Sequence, residues 1–369
     1  MSDPSFLIAG AGPTGLAAAL FLKRRGITAR LVDKAEQPAA HSRALVVNPR
    51  TLDMLKSSGV TDRMLAEGRP VSGLTFYDHW KRIASFDTSA IHPRYQLNVI
   101  SQERSEALLA EALATYGIHA ERSTTASVKG QDEHVHVELT HGDGRTEQID
   151  VDGLFAADGA RSTIRENLGI PFPGTSFPEA WPLFDIEMET SLALDRAHVC
   201  FLPEGLIFML ALDARVWRVI ASFPNPLDHL PNGSRAGDTV WSSSFHIAHR
   251  IAETCAIGRV ALGGDAAHIH SPIGARGMNL GIEDGYAFAL RMADTSIDLP
   301  ARFARYGTER HAIHVDVVRR VRMVTTLARG GTGALRLIRR YGIPLIVEIA
   351  PMRHLLLGTA AGLDHPQPI

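Results

Sequence analysis

The residues with chemistry to offer begin at position 10. Gly10-Ala11-Gly12-Pro13-Thr14-Gly15 follows the apolar run Phe6–Ala9 and precedes Leu16–Leu22, a helix-forming stretch that ends at Gly26. A second apolar run, Ala29–Val32, closes on Asp33 with Lys34 beside it. Strand, glycine turn, helix and strand within about 30 residues make one βαβ unit. Gly10 permits the tight turn, Gly12 lets backbone approach a pyrophosphate, and Gly15 lets the helix pack on the strand. The helix N-terminus then presents free N–H groups and a partial positive charge to phosphates. Asp33 lies 18 residues past Gly15, where a carboxylate accepts from both ribose hydroxyls. This pattern reads as a nucleotide site and does not by itself choose between FAD and NAD.

Two later segments carry related signals. Gly153-Leu154-Phe155-Ala156-Ala157-Asp158-Gly159 is an apolar run ending in an Asp-Gly turn, with Ser162 and Arg165 behind it and a helix expected from near Ser162. Further on, Val260-Ala261-Leu262-Gly263-Gly264-Asp265-Ala266-Ala267-His268 is a strand ending on Gly-Asp. A glycine-dense loop with Pro272, Gly274, Ala275, Arg276 and Gly277 follows, and Met278–Ala293, including Asn279, has helical spacing.

Taken in this order, the three motifs resemble the para-hydroxybenzoate hydroxylase-like (group A) flavoprotein monooxygenases. Ser42-Arg43-Ala44 and Pro49-Arg50-Thr51-Leu52 are similar to that family's arginine-bearing loop and following helix, and Ser101-Gln102-Glu103-Arg104 to its glutamine-bearing helix start. The resemblance covers most of residues 5 to 310. It implies FAD as cofactor, with Gly10, Gly12, Pro13, Thr14 and Gly15 at the pyrophosphate and Asp33 and Lys34 at the adenosine ribose. Arg43 is implied at the pyrophosphate or flavin, and Gln102 and Asp265 at the ribityl chain. Gly264 is implied at the cofactor beside Asp265, and Pro272, Gly274, Ala275, Arg276, Gly277, Met278 and Asn279 along the isoalloxazine, where the helix N-terminus favours negative charge on the reduced ring. Asp158 and Arg165 are implied near FAD or pyridine nucleotide, with a turn closed by a side-chain bond as the alternative.

Two departures from the family stand out. Position 33 carries aspartate where glutamate is usual, a carboxylate shorter by one methylene. Ala275-Arg276 stands where many relatives have glycine and glutamine, which places a cation either at the flavin N1–C2=O edge or out in solvent.

The resemblance also implies the chemistry: NADPH or NADH reduces FAD, dioxygen reacts with the reduced ring, and a C4a-hydroperoxyflavin transfers oxygen to an electron-rich, aromatic or phenolic small molecule. The general base is not among the shared motifs, so no catalytic residue is assigned. Three other readings are weighed. A flavin-dependent halogenase would carry a Trp-x-Trp-x-Ile-Pro segment, which this sequence lacks. A reductase on the same scaffold would turn over without incorporating oxygen, and a non-catalytic flavin-binding protein would not couple reduction to product.

The fold expected is α/β: a Rossmann-like, GR2-type FAD-binding domain with an inserted, mostly antiparallel β-sheet domain and a helical C-terminal tail. Residues 1–72, 98–175 and 257–310 are expected to form the first, and residues 73–97 and 176–256 the substrate-binding sheet. Runs such as Val216-Trp217-Arg218-Val219-Ile220 carry that sheet signal. Residues 311–369 are expected as helices, with Arg319, Arg320, Arg336, Arg339 and Arg340 on a solvated face. The stretch 224–238 reads as clipped, and the chain is expected to lack the thioredoxin-like domain of longer phenol-hydroxylase relatives.

Bulk composition narrows the partners. Lys plus Arg number 38 against 40 Asp plus Glu, so no basic excess points to nucleic acid. No uncharged apolar run reaches the ~20 residues that span a bilayer. The two cysteines, Cys200 and Cys255, make no disulfide framework or zinc motif, which points to a cytoplasmic protein. Nothing in the sequence chooses between a monomer and a homodimer. Among 17 histidines none has zinc-protease spacing; His268 and His270 are expected to support the loop, and no metal is expected. Ser162 sits in no Gly-x-Ser-x-Gly elbow, against a serine hydrolase.

Overall fold

A computed structural model of the chain describes residues 6–39, 44–88, 91–329, 342 and 357–366. Arg43, Arg336, Arg339 and Arg340 lie outside the described residues.

The glycine motifs organise a five-stranded sheet. Its order is Ala256–Ile257, Val260–Leu262, Gly153–Ala156, Phe6–Ala9 and Ala29–Val32. The last four run parallel, and Ala256–Ile257 pairs antiparallel at the edge. The central strands Phe6–Ala9 and Gly153–Ala156 are buried throughout, as their unbroken apolar runs require when helices cover the sheet. Helices Pro13–Lys23, Gln102–Ala114 and Gly277–Met292 share one hydrophobic core with it.

Two of these helices touch through glycine. A Cβ on Gly285 would lie 2.8 Å from the Ala18 nitrogen and 2.9 Å from the Thr14 carbonyl oxygen, both backbone atoms of helix Pro13–Lys23. Gly15 meets the turn just as closely, since a Cβ there would stand 1.8 Å from the Gly10 carbonyl oxygen. Helix contact at backbone distance is therefore written into the sequence as glycine rather than alanine.

The second large unit is an eight-stranded sheet ordered His268–Ile269, Arg235–Ile251, Gly174–Glu189, Val216–Ala221, Leu206–Ala211, Arg196–Phe201, Gly73–Asp78 and Lys81–Asp87. It is antiparallel except where Arg196–Phe201 runs parallel to Gly73–Asp78. Alternation gives it two apolar faces. The inner face carries Phe76, Phe86, Trp181, Phe201, Ile220, Phe245 and Ile247 and packs against Ile273 of the glycine-dense loop and Leu357. The outer face carries Ile186, Ile207, Met209, Trp217 and Val219. Two small three-stranded sheets complete the fold: the meander Thr124–Gln131, Val135–His141, Thr146–Val151, and Val46–Val47, Leu97–Val99, Arg69–Val71.

Several expected boundaries move. The limit at 175/176 falls inside strand Gly174–Glu189, because Gly174 and Thr175 already pair with Arg250 and His249. Leu97 belongs with the strand Leu97–Val99, which pairs outside the large sheet. The limit at 310/311 falls inside one continuous helix, Leu299–Arg329, which holds no proline or glycine between 308 and 329 to break it. Among the described residues no helix is long and apolar enough to cross a membrane.

Gly285→Val is expected to lower stability by about 1–3 kcal/mol, because the clash is with backbone that cannot rotate away. A thermal melt tests this, and an unchanged midpoint would overturn the packing argument.

Candidate functional site

Parallel pairing places the three sequence motifs on one edge. Gly10 donates its N–H to the Val32 carbonyl, Ala157 donates to Ala9, and Gly263 donates to Ala156. The C-terminal ends of four parallel strands thus deliver Gly10–Gly15, Asp33, Asp158 and Gly264–Asp265 to one edge of the sheet, the edge at which open α/β sheets usually bind ligands.

Gly12 caps helix Pro13–Lys23 without a side-chain bond, and Pro13 opens the first turn. The first-turn N–H groups are therefore left to a ligand. A Cβ on Gly12 would meet nothing within 4 Å, so backbone is open to approach there. Gly10 has φ +107°, and a Cβ would lie 2.1 Å from the Ala157 carbonyl oxygen, which leaves glycine as the residue the turn accepts.

Thr14 joins the first motif to the third. Its hydroxyl stands where Cβ atoms on Gly264 and Gly281 would lie, at 2.4 and 2.2 Å. Gly264 has φ +59° and starts a short 3-10 turn, Gly264–Ala266. Within that turn Asp265 is exposed while Gly264 and Ala266 are buried.

Asp33 is held by the loops around it. Its carboxylate accepts from the Ala11 N–H at 2.5 Å and the Ala35 N–H at 2.7 Å, and the Arg122 guanidinium lies 3.7 Å away. The short side chain is thereby pre-oriented, with lone pairs to spare for hydroxyl donors. Lys34 is exposed. Gln102 begins its helix with a backbone bond to the Ala44 carbonyl at 3.2 Å, and its amide donates to Glu106 at 2.7 Å.

The Asp-Gly segment has a tying role. Asp158 accepts from the Ile164 N–H at 3.2 Å, and burial raises its pKa against the Ser162 bond. Ser162 caps the following helix by accepting from the Arg165 N–H at 2.9 Å. The Arg165 guanidinium lies over the Phe172 ring at 4.0 Å and donates to the carbonyls of Ala266 at 3.0 Å and Ala160 at 3.1 Å. Arg165 therefore bolts the second motif to the residue following Asp265.

The glycine-dense loop is held by Asn279. Its amide donates to the carbonyls of Ala275 at 2.7 Å and Val46 at 2.8 Å, and its oxygen accepts from the Asn48 N–H at 2.9 Å. Gly274 (φ +87°) and Ala275 (φ +53°) are both left-handed, and Ala275 donates to Pro272 at 3.0 Å. An alanine at positive φ carries backbone strain of order 1 kcal/mol or more. Gly277 and Met278 open the helix behind the loop. The solvent-facing alternative for Arg276 is corrected: its side chain is buried, with Nη2 3.1 Å from Asp364. Burial lowers its pKa against that pairing.

Beneath this edge lies a polar hub that spacing did not reveal. Asp284 accepts from the Gly264 N–H at 2.9 Å, His268 Nε2 at 2.8 Å, Arg310 Nε at 2.7 Å and His314 Nε2 at 2.7 Å. Burial opposes its ionisation, yet His314, Arg310 and His268 hold its carboxyl well below the usual carboxylate range. Burial brings His314 down to about 3, and its Nδ1 lies 3.3 Å from the Cys255 thiol. Glu283 binds Arg310 at 2.6 Å, His365 at 2.7 Å and Arg50 at 3.3 Å. His268, Asp284 and His314 bring ligand-type atoms within 4.8 Å of one another, and their donors and acceptors are turned toward each other. The only trace in sequence is Arg310 and His314 four residues apart on one helix face.

A separate cavity of about 670 Å³ opens on the outer face of the large sheet, lined by Tyr77, Trp80, Arg196 and His198 among others. It contains none of the residues expected at the cofactor.

Comparison with known proteins follows the same outline. The FAD binding domain family matches residues 4–209 and 229–321. A 6-methylpretetramide 4-monooxygenase of Streptomyces rimosus is 31% identical, over 98% of this chain and 69% of its own length. A pentachlorophenol 4-monooxygenase of Sphingobium chlorophenolicum is 30% identical over 84% of this chain and 62% of its own length. The chain thus spans roughly three-fifths to two-thirds of these relatives. Among solved structures, the p-nitrophenol 4-monooxygenase PnpA of Pseudomonas putida DLL-E4 shares the fold with a TM-score of 0.85 at 20% identity, covering 97% of this chain and 98% of that one. The OxyS anhydrotetracycline hydroxylase of Streptomyces rimosus matches with a TM-score of 0.79 at 26% identity, covering 99% and 77%.

Two outcomes follow from the hub. Asp284→Asn should cost about 3–5 kcal/mol, because it leaves the buried Arg310 without full compensation and loosens the Gly264 turn. A melting midpoint within error of the parent would overturn this. Asp364 is disfavoured as an anion by burial, but the His365 bond and Arg276 bring it from 3.8 to about 2. Its folded pKa is depressed, so its stabilisation is present above about pH 4 and lost as pH falls to about 2. The gap in melting temperature between the parent and Asp364→Asn should close over that window; a gap independent of pH would refute the pairing.

Proposed function

The chain belongs to the FAD binding domain family, and from that premise we propose that it is an FAD-dependent monooxygenase that hydroxylates an electron-rich aromatic compound with NADPH or NADH as donor. One observation carries the reading. Three separate motifs converge on the C-terminal edge of a parallel sheet, and the loop leaving the third packs by Ile273 against the inner face of a second sheet. This arrangement holds a long dinucleotide on one side and an apolar substrate on the other. The names of the curated relatives, a 6-methylpretetramide 4-monooxygenase and a pentachlorophenol 4-monooxygenase, support the same reaction class.

When bound, FAD supplies the redox chemistry, taking hydride from the nicotinamide and activating dioxygen. The chain's part is to bind, orient and exclude water. The uncapped first turn after Gly12 receives the pyrophosphate, since backbone N–H groups there lack a side-chain acceptor. Asp33, already oriented by Ala11 and Ala35, accepts from the adenosine ribose. Asp265 accepts from ribityl hydroxyls, and Gln102 lies on the same path beside Ala44. The Pro272–Gly277 loop, clasped by Asn279, would line the isoalloxazine. Arg276, within that loop, pairs with Asp364 and so anchors the loop.

Asp265→Ala is expected to weaken FAD retention on the order of 10–100-fold, the loss of a charge-assisted hydrogen bond being ~1.5–3 kcal/mol. Equilibrium dialysis of a folded variant with parental affinity would refute the role. The reaction class is tested on the holoprotein. A flavin band near about 450 nm should bleach with NAD(P)H, and an aromatic substrate should stimulate NAD(P)H oxidation and leave as a product heavier by one oxygen atom. Flavin reduction with no oxygen in any product would refute the monooxygenase reading.

A further inference from the structure

Among the described residues, the inner face of the eight-stranded sheet carries one buried ion pair in a mostly aromatic and aliphatic surface. Asp185 and Arg218 are direct cross-strand partners, joined by two parallel bonds of 2.7 Å, from Nε and Nη2 to the two carboxylate oxygens. Their side chains are 9% and 4% exposed, and the guanidinium lies over the Trp241 ring at 5.3 Å. Around them the same face presents Phe76 stacked on Phe201 at 6.1 Å, Phe86 at 6.0 Å from Phe76, and Trp181 and Phe245. Among the described residues, the buried titratable side chains on this face are Asp185, Arg218 and His249, and both ring nitrogens of His249 lack a partner.

From this juxtaposition we propose that the substrate ring system enters uncharged, and that Asp185 is the residue that sets this specificity by occupying Arg218. The inference rests on the monooxygenase reading above, which puts the substrate between the inner sheet face and the Pro272–Gly277 loop. An anionic substrate needs a cation to replace its lost hydration, because an unpaired carboxylate in an apolar site costs several kcal/mol. Arg218 has the fork geometry to fill that need, but both faces of the fork used here already meet Asp185. A second carboxylate brought to the pair would meet the Asp185 charge as well. A neutral phenol is spared this cost and gains ring contacts with the aromatic wall. The pair thus selects against acids by leaving them without a partner, and does not require strong binding of the preferred ligand.

The test uses the FAD-loaded protein and two probes of equal ring size, 2-naphthol and 6-hydroxy-2-naphthoate. Binding is followed by the change in the flavin spectrum, which needs no turnover. The parent should bind 2-naphthol at least about 10-fold more tightly than the naphthoate. In Asp185→Asn the fork is released, and affinity for the naphthoate should rise about 10-fold or more while that for 2-naphthol changes little. Asp185→Leu combined with Arg218→Met removes both charges, tolerates the loss of its partner and should keep the preference for 2-naphthol even where the single variant fails to fold. Equal or tighter binding of the naphthoate by the parent overturns the proposal, as does a folded Asp185→Asn with unchanged naphthoate affinity. Selective binding of 2-naphthol with no oxygenated product upholds the selectivity and refutes the monooxygenase reading. Oxygenation of the naphthoate by the parent does the reverse.

Discussion

The carboxylate of Asp284 is the point on which the candidate site is built. It is fully buried, and its two oxygens receive four donors from three parts of the chain: the Gly264 backbone, His268, and Arg310 with His314. A charge in that position is tolerable only because every lone pair direction is answered, and Arg310 is itself answered by Glu283. The consequence is mechanical. The left-handed Gly264 turn, which carries Asp265, is fixed to the helix Gly277–Met292 and to the long helix Leu299–Arg329 together.

The same logic continues outward in shells. Arg165 ties the Asp-Gly segment to the Ala266 carbonyl, and Thr14 seats the first helix against Gly264 and Gly281. Asn279 ties the glycine-dense loop to Val46 and Asn48, while Arg276 and Arg50 reach the C-terminal residues Asp364 and His365. Segments hundreds of residues apart in sequence are therefore held by polar bonds where the backbone must be irregular. Apolar packing holds the regular elements behind them. The division is physical: loops that line a ligand site have no ladder of their own, and side chains must satisfy them.

The substrate sheet follows a different rule. Its faces are set by alternation, so one strand serves two cores, with Arg218 and Ile220 turned inward and Trp217 and Val219 outward. On the inward side a paired charge sits among rings. That combination is costly for stability compared with an apolar pair, and the specificity proposed for it would account for its presence there.

Much of this was legible in the sequence. The glycine fingerprint with Asp33, the Asp-Gly turn and the Gly-Asp strand end marked the parallel sheet and the edge where its motifs meet, because turn geometry and close backbone approach demand particular residues at fixed local spacing, while the reaction class came only from the resemblance of the three motifs to a known family. The helix after Ser162 and the helix beginning at Gly277 were visible for the same local reason. The partners of buried charges were not. Asp284 with Arg310 and His314, Arg276 with Asp364, and Asp185 with Arg218 join residues 26 to 88 positions apart, at separations that no local pattern encodes. Whether Arg276 points to solvent, to a cofactor or to Asp364 depends on which chain segment fills the space beside it. Sequence determined which groups carry charge and where the backbone turns; the tertiary structure alone decided which charges meet, because in a low-dielectric interior that choice is made by three-dimensional proximity.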